Sequence, residues 1–401
     1  MNIRTHAPTV INAGTSATNW VLNTGATLAA GTTPDGVAAL KGVSASGGNL
    51  RINYAPAGGV NLLTAKGIEV DIYCETPTLS DPPDGVVLAI LLANDTGFTN
   101  FLSSGTIYIR PGWNKIRLGR RDFTASGSPT WATDVAVIRF NFALETAKVL
   151  TMYVKDLSAS GFARPQIPII FDDGYESVYD EAFPYMAARG LVGTVGVISS
   201  KVGTSGFMTE AQLQELYDAG WALCNHTHLH QQNVLKSASQ TTCYNEIIAC
   251  QDYLASKGWT RDNGHLHFFA PYGEWSANYL AAAVQAGCLM HRSTIHTNSA
   301  QTSDPPISDT PGNLFPVGCV GLSNAWSLAN LTDRVDRIIS GGRTTCGFLF
   351  HDIATPASSS IQTTIADFQG FIDYLYRRRA VCDCPTAPEL YKHWSDVAEY
   401  A

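Results

Sequence analysis

The C-terminal half of the chain alternates short runs of β-forming residues with segments in which apolar residues recur at helical spacing. Several of the helical segments end at glycines, such as Gly190, Gly220 and Gly258. The β-forming runs are residues 167–171, 193–199, 221–225, 265–270, 288–294 and 346–351. Strand–helix alternation builds a parallel sheet covered by helices. Six or seven such units therefore predict a distorted (β/α) barrel for residues 161–401.

Residues 1–160 have a different character. They are rich in Gly, Thr, Ala, Asn and Ser, and they contain short alternating segments, for example residues 50–54, 68–73 and 135–142. Turn sequences such as Pro34-Asp35-Gly36 separate some of these segments. The pattern predicts an N-terminal all-β sandwich, jelly-roll-like in topology, with its boundary to the second domain near residues 158–166.

Two adjacent carboxylates follow the first β-forming run of the barrel. Asp172 and Asp173 come directly after Phe171, and Gly174 then allows the backbone to turn sharply. Two carboxylates side by side at the end of a buried strand are costly unless something binds them. Taken alone, however, Asp-Asp-Gly is usually only a turn.

Three histidines follow a second run of β-forming residues, 221–225. They are His226, His228 and His230. In folds of this class, active sites lie at the C-terminal ends of the strands, where both features are found. Carboxylate and imidazole groups are common ligands of zinc and other divalent ions. The acidic pair and the histidine cluster together therefore predict a metal site.

Four motifs in a fixed order make the sequence resemble the polysaccharide deacetylase family, the metal-dependent carbohydrate esterases that share a homology domain with the rhizobial chitooligosaccharide deacetylase. The family pattern Thr/Ser-Phe-Asp-Asp-Gly is matched by residues 170–174, and the pattern His-Ser/Thr-any-any-His by residues 226–230. Its third motif ends in Pro-Tyr-Gly, as do residues 271–273, and its last motif is matched by Leu-Phe-His at 349–351. The resemblance extends over about residues 165–380, and it too implies a distorted (β/α) barrel.

The resemblance implies one divalent metal ion, with Asp173, His226 and His230 as its ligands. Zinc suits this mixed nitrogen and oxygen ligand set best, although cobalt, nickel or manganese can substitute. One carboxylate and two neutral imidazoles leave open positions on zinc for a water and for the acetyl carbonyl of a substrate.

The resemblance also implies roles in catalysis. Metal-bound water would attack the acetyl group, with Asp172 as the general base and His351 as the general acid for the leaving amine or alcohol. The backbone N–H of Tyr272 would contribute to the oxyanion hole. These roles imply a hydrolase of amide or ester bonds that removes acetyl groups from a polysaccharide.

The sequence departs from the family pattern at the third motif. The motif usually opens with an arginine that orients the catalytic aspartate, but Phe269 stands at that position here. Arg292, after a later run of apolar residues, is one substitute, although a surface salt bridge is the favoured interpretation of this residue. His228 lies between the two histidines that the resemblance implies as ligands. On a strand-like segment it would share their face, which makes it a third candidate ligand.

Composition restricts the partners. The net charge is −8, from 26 Lys and Arg against 34 Asp and Glu, and no basic run is longer than Arg377-Arg378-Arg379. These values argue against a nucleic-acid partner. No stretch of the sequence approaches a membrane span, so membrane insertion is not expected. An acetylated polysaccharide is the expected substrate.

Localisation is harder to reconcile with that substrate. Residues 1–30 lack the basic and then apolar pattern of a signal peptide, and the nine cysteines are scattered, as expected of reduced thiols. A chain that is made in the cytoplasm and acts on an extracellular polysaccharide is compatible with a phage virion protein released by lysis. On this hypothesis the N-terminal domain is a tail-associated module for docking, self-association or glycan binding. The Trp113–Arg117 stretch (residues 113–117) loosely resembles a carbohydrate-binding module.

Two classes of function remain open at this point. The first is the metal-dependent deacetylase, acting on N-acetyl or O-acetyl groups. The second is a catalytically inactive glycan-binding protein that has kept the scaffold, such as a phage receptor-binding module. The presence of all of Asp172, Asp173, His226, His230 and His351 favours the enzyme.

Overall fold

The computed structural model describes most of the chain. The described residues are 9–45, 47–75, 86–109, 112–131, 134–144, 149–159, 165–231, 234–274, 276–295, 317–322, 325–341 and 347–391. The chain divides into two compact units. The described residues up to 159 form the first, with which residues 337–341 are grouped, and the other described residues from Pro165 onward form the second. Residues 160–164, which fall within the predicted boundary, lie outside the described residues. Within the described ranges, none of the helices combines the length and apolar character that crossing a bilayer requires.

The first unit is built from antiparallel strands. They are β1 (Thr9–Asn12), β2 (Trp20–Thr24), β3 (Thr27–Thr32), β4 (Ala38–Val43), β5 (Leu50–Tyr54), β6 (Gly67–Glu75), β7 (Val86–Ala93), β8 (Phe101–Ser103), β9 (Ile107–Ile109), β10 (Gly112–Gly119), β11 (Thr124–Ser126), β12 (Val137–Leu144) and β13 (Thr151–Ala159). Among the described residues, one sheet has the order β10-β6-β13-β4-β3, with β1 also paired to β13. The other has the order β11-β8-β7-β12-β5-β2, with β9 paired to β7.

The two sheets of this unit share one apolar core. Side chains alternate between the core and the outer face along each strand, so Ile72 of β6 and Val154 of β13 point inward from the first sheet. They join Ile90 of β7 and Phe140 of β12, from the second sheet, in the same buried cluster. Burial of each such side chain stabilises the folded state by roughly 1.5–3 kcal/mol relative to leaving the side chain exposed. The predicted all-β architecture is confirmed, and the jelly-roll-like topology stays a prediction.

The second unit is a barrel of parallel strands with helices around it. Its strands are β14 (Ile169–Phe171), β15 (Thr194–Val197), β16 (Ala222–Asn225), β17 (His267–Phe269), β18 (Met290–Ile295), β19 (Val317–Gly321) and β20 (Phe348–Phe350), followed by a small pair, β21 (Asp352–Ile353) and β22 (Gln362–Thr363). In the part of the chain that is described, β14 to β20 pair in sequence order, and β14 pairs with β20 to close the barrel. The predicted (β/α) barrel is confirmed.

Helices follow most of the barrel strands. They are α1 (Phe183–Ala187), α2 (Glu210–Asp218), α3 (Val234–Ser237), α4 (Gln240–Ser256), α5 (Ala277–Gln285), α6 (Leu328–Gly341) and α7 (Ile365–Arg378). Side chains cap several of them, as the capping box of Thr209 and Gln212 shows at the start of α2. The helical segment that ends at Gly190 begins with a π-helical turn, Val178–Ala182, which is followed directly by α1.

The barrel brings the predicted motifs to one rim. Parallel strands have their C-terminal ends on the same side, and the motifs follow the ends of β14, β16, β17 and β20. Residues that are far apart in sequence, such as Asp172 and His351, therefore meet at this rim. The cysteines within the described barrel include Cys224, Cys250 and Cys288, which are buried and form no disulfide with the described residues.

Candidate metal centre and active site

The acidic pair lies in a tight turn at the end of β14. The N–H of Asp172 donates to the Phe350 carbonyl at 2.9 Å, which extends the pairing of β14 with β20 by one residue. Asp173 and Gly174 then adopt positive φ angles of 72° and 80°. Positive φ is uncommon for a residue with a side chain, and such residues cluster at functional sites. Both aspartates are buried, Asp172 with 2% and Asp173 with 8% of its surface exposed.

The histidine loop after β16 is held by hydrogen bonds from polar side chains. The amide of Asn225 donates to the Ile247 carbonyl at 2.8 Å, and its side-chain oxygen accepts from the N–H of Thr227 at 2.9 Å. The Thr227 hydroxyl in turn accepts from the N–H of His230 at 3.1 Å. A carboxylate oxygen of Glu246, in α4, accepts a hydrogen bond from the backbone N–H of Leu229 at 2.8 Å. The loop is thus anchored to helix α4 as well as to the barrel.

Asp173 and two histidines converge at the rim. Oδ1 of Asp173 lies 3.3 Å from Nε2 of His226 and 3.2 Å from Nε2 of His230. One ligand atom from each of the three residues lies within 4.8 Å of the other two. We call these three residues the metal group, and they are the three that the family resemblance implies as metal ligands.

The donor atoms of this group fit a divalent cation. Within the described residues, the buried Oδ1 of Asp173 accepts no well-directed hydrogen bond. Nδ1 of His226 lies 2.7 Å from the carbonyl oxygen of Phe269, which can only accept, so Nδ1 carries the proton and the Nε2 lone pair faces Asp173. A backbone partner that fixes the tautomer in this way is typical of histidines that bind metals.

The electrostatics of the group favour a bound positive charge. Burial by itself would raise the pKa of Asp173, but the close approach of His226 and the charges of the neighbouring histidines outweigh it and hold that pKa below its ordinary value. Burial would lower the pKa of His226, yet the carboxylates of Asp172 and Asp173 raise it. Burial and the charge of His226 lower the pKa of His230 to about 4. His230 is therefore neutral, as a metal ligand must be, at physiological pH.

Arg292 holds the other aspartate. Its Nη2 lies 2.6 Å from both Oδ1 and Oδ2 of Asp172, and only 1% of Arg292 is exposed. The guanidinium also lies over the ring of Phe269, 4.4 Å from its centre. The interpretation of Arg292 as a surface salt bridge is therefore wrong. Arg292 of β18 therefore contacts Asp172 while lying over Phe269, the residue that stands where the family pattern has an arginine.

Two glycines, Gly196 and Gly273, make room for these groups. A Cβ atom on Gly196, in β15, would lie 2.9 Å from Oδ1 of Asp172 and 3.4 Å from Cβ of His226. A Cβ atom on Gly273 would lie 2.0 Å from Oγ1 of Thr294, and this glycine also has a positive φ of 67°. Only glycine fits either position without movement of the site.

The remaining predicted residues lie around the metal group. His351 follows β20 directly, and it is close enough to Asp173 and His230 for their charges to interact. The ring of Tyr272 lies 4.7 Å from that of His230 and is 42% exposed, and its backbone has a positive φ of 56°. Tyr175, whose pKa burial and the charge of Asp173 raise to about 12, stacks on the ring of a further aromatic residue of this rim.

His228 does not join the metal group. Its Nδ1 lies 2.9 Å from Oγ of Ser199, and it is not among the described residues whose ligand atoms converge. The turn between His226 and His230, in which Thr227 and His230 have positive φ, breaks the simple alternation that would have placed all three histidines on one face.

The protein is expected to bind one divalent ion at Asp173, His226 and His230, zinc being the ion to test first. His226 must be neutral to bind a metal, and its pKa is raised, so metal affinity should fall as the pH falls through that raised value. Elemental analysis and metal titration at several pH values measure both expectations. Asp173→Asn should lose the ion, whereas the neighbouring control His228→Ala should keep it. Equal loss in the two variants would contradict the assignment.

Comparison with known proteins finds similarity to polysaccharide deacetylases. Residues 160–291 match the family model for polysaccharide deacetylase. The chain is 28% identical over 141 residues to the poly-beta-1,6-N-acetyl-D-glucosamine N-deacetylase of Staphylococcus epidermidis, and this match covers 32% of the chain and 48% of that protein. The protein of the same name from Staphylococcus aureus is 27% identical over 138 residues, with 31% of the chain and 47% of that protein covered. The chain thus spans about half the length of these curated relatives.

A solved structure of a family 4 carbohydrate esterase from Streptomyces lividans, in complex with acetate, matches 57% of the chain and 95% of its own length, at 16% identity and a TM-score of 0.38. The family model includes the acidic pair, the histidine loop and Tyr272, and it ends before His351. Residues 160–291 are therefore similar to the polysaccharide deacetylase family, and this matched region carries the acidic pair and the histidine loop of the second unit.

Proposed function

We propose that the protein is a metal-dependent deacetylase that hydrolyses acetyl groups on a polysaccharide. The observation that carries this proposal is the buried Oδ1 of Asp173, which faces two imidazole nitrogens beside a second carboxylate held by Arg292. A glycan-binding protein without activity would have no need of a buried Asp172–Arg292 pair at the same rim. The inactive alternative is therefore not favoured.

The proposed reaction divides its tasks among the rim residues. A divalent ion held by Asp173, His226 and His230 would supply Lewis acidity, which activates a water and polarises an acetyl carbonyl. Asp172 acts as the general base because Arg292 fixes both of its oxygens and it lies 3.6 Å from Nε2 of His226, beside the metal group.

Two further groups complete the reaction. The backbone N–H of Tyr272 is proposed to stabilise the negative charge that develops on the acetyl oxygen, and the tight turn at Gly273 fixes its direction. His351 is proposed to protonate the leaving nitrogen or oxygen. Its Nδ1 has no hydrogen-bond partner within the described residues, so the ring is not committed to a structural contact through that atom.

The acetyl group is proposed to hang from nitrogen, and a β-1,6-linked N-acetylglucosamine polymer is the first substrate to test. The two staphylococcal relatives are named for that polymer. Aromatic side chains at the rim, among them Tyr272 and the stacked pair of Tyr175 and Phe207, provide surfaces against which sugar rings can pack.

Acetate release from a panel of acetylated polysaccharides tests the proposal. The panel should contain β-1,6- and β-1,4-linked N-acetylglucosamine polymers and an O-acetylated xylan, each with metal-loaded and metal-stripped protein. We expect acetate from at least one polymer, and only with metal present. A metal-loaded protein that releases no acetate from any of them, nor from an activated aryl acetate, would overturn the proposal.

His351→Ala should separate the general acid from a structural histidine. An amine leaves poorly without a proton, so turnover on the N-acetylated polymer should fall by about 10²–10⁴-fold. An activated aryl acetate leaves without protonation, so its turnover should change little. Steady-state rates on the two substrates measure the contrast. An equal loss on both substrates would remove His351 from the proposed mechanism.

The location of the protein is a separate proposal. We propose that it acts outside the cell or on a virion, because a polysaccharide is its proposed substrate. The first unit then serves for glycan binding, self-association or docking on the virion. Mass spectrometry of purified virions from the source tests the docking role directly.

A further inference from the structure

The outer face of one sheet in the first unit carries a row of aromatic side chains, which we call the aromatic row. It consists of Trp113 of β10, Tyr73 of β6 and Tyr153 of β13. Trp113 pairs in register with Tyr73, and Tyr73 pairs with Tyr153. Tyr153 pairs in turn with Lys41 of β4. The row therefore crosses neighbouring strands directly, on the face opposite the core.

The rings of the row contact one another. The ring centres of Trp113 and Tyr73 are 5.4 Å apart, with their planes at 75°, and those of Tyr73 and Tyr153 are 5.8 Å apart, at 81°. Both arrangements are favourable edge-to-face contacts. Trp113 and Tyr73 are half-buried, whereas Tyr153 is 2% exposed and has the ammonium of Lys41 5.3 Å from its centre. Trp113 and Tyr73 therefore provide most of the accessible aromatic surface.

Carboxylates fix the polar ends of the row. Nε1 of Trp113 donates to Oδ2 of Asp35 at 2.8 Å, and the hydroxyl of Tyr153 donates to Oε2 of Glu75 at 2.6 Å. The rings are thus held in place before any ligand arrives, which lowers the entropy cost of binding. Each carboxylate still has lone pairs that can accept hydrogen bonds from hydroxyl groups.

The charges beside the row are of both signs and are paired. Lys115 lies 3.7 Å from Asp71 and 3.9 Å from Glu69, and Arg117 lies 2.6 Å from Glu69. A face with neutralised charges does not attract a polyanion such as nucleic acid or a sulfated glycan. Planar apolar rings with hydrogen-bond acceptors at their edges instead suit a ligand that is uncharged, ring-shaped and rich in hydroxyl groups.

We infer that the aromatic row is a binding site for an uncharged stretch of polysaccharide, separate from the catalytic rim. Faces of pyranose rings carry C–H groups that pack on aromatic rings, while their hydroxyls reach Asp35 and Glu75. Neighbouring strands are about 4.8 Å apart, so the row from β10 to β13 is about 10 Å long, which is room for about two sugar units. The choice of an N-acetylated polymer rests on the proposed function.

The test measures binding without turnover. Full-length, metal-loaded protein with Asp172→Asn, which is expected to slow consumption of the ligand by about 10²–10⁴-fold, is titrated with a β-1,6-linked N-acetylglucosamine hexasaccharide by calorimetry. Adding Trp113→Ala or Tyr73→Ala should reduce the number of hexasaccharides bound per chain by one, or weaken that site by at least about tenfold, as expected for a central aromatic contact. Cellohexaose and heparin serve as neutral and anionic comparison ligands.

Trp131→Ala provides the matched control. This indole belongs to the same unit and is also half-buried, but it lies outside the row and packs on Phe123. The control should bind as the parent does, with all variants melting at similar temperatures. Unchanged stoichiometry and affinity in both row variants, equal loss in the control, or binding of heparin in preference to the neutral sugars would each overturn the inference. Acetate release from the otherwise unaltered Trp113→Ala protein on an aryl acetate reports on the proposed function independently, because that substrate does not need the row.

Discussion

Asp172→Asn is expected to lower turnover by about 10²–10⁴-fold, because an amide cannot take the proton that Asp172, as the proposed general base, accepts. The variant should keep its metal, since Asp172 is not in the group formed by Asp173, His226 and His230. It should also keep its fold, since the amide fills the same volume and its oxygen can still accept from Arg292. Steady-state kinetics and elemental analysis on the same preparation measure both parts of the expectation.

The neighbouring variant Asp173→Asn is the control. It replaces the carboxylate whose Oδ1 faces both histidines, so it should lose metal affinity and activity together. The two aspartates thus differ in which property each variant loses. If Asp172→Asn and Asp173→Asn held metal equally poorly, the division of roles within the pair would be wrong.

The sequence was sufficient to predict most of the rim because its signals are local. An apolar run followed by charged or imidazole residues marks a strand end, and parallel strands bring such ends together. The Asp172-Asp173 pair and the His226–His230 loop (residues 226–230) could therefore be placed at one rim without any knowledge of pairing. The βα alternation likewise predicted the barrel.

The buried, inward positions of Arg292 and Gly196 could not be predicted from the sequence, for one shared physical reason. Strands of a barrel covered by helices are buried on both faces, so alternation of apolar and polar residues does not indicate which side chains face the interior. In β18, His291, Arg292 and Ser293 are all buried, with exposures of 0%, 1% and 0%. In β15 every residue is buried. The inward direction of Arg292 depends on strand register, which is set by the whole barrel.

The strand order of the first unit also could not be predicted from the sequence. Its antiparallel partners are often distant in sequence, as β13 is from β4 and β6, and each pairing depends on which strands bury apolar faces against the other sheet. The row of Trp113, Tyr73 and Tyr153 exists only through these pairings. Sequence proximity linked Trp113 to Lys115 and Arg117, which share its strand, but gave no link to Tyr73.

Arg292→Met is expected to have the second large effect, and on two properties at once. The substitution leaves the buried carboxylate of Asp172 without its cation, and removing one partner of a buried pair typically lowers the free energy of unfolding by about 3–5 kcal/mol. Without the contacts at 2.6 Å, Asp172 also loses its fixed direction, and misplacement of a catalytic group by about 1 Å can reduce turnover by about 10²-fold. Denaturant unfolding measures the loss of stability, and steady-state kinetics measure the loss of turnover. Hydrogen exchange in β14 and β18 shows whether the loss of stability is centred on these two strands.

Two comparisons make this expectation specific to the buried pair. Arg189→Met breaks the pair of Arg189 and Asp373, whose side chains are 21% and 37% exposed, and an exposed pair of this kind contributes only about 0–1 kcal/mol. In the double variant Arg292→Met with Asp172→Asn, no uncompensated charge remains from this pair in the barrel. Its stability should therefore lie above that of Arg292→Met alone, although it stays inactive. If Arg292→Met were no more destabilising than Arg189→Met, and adding Asp172→Asn restored nothing, Arg292 would not be the group that holds the proposed base.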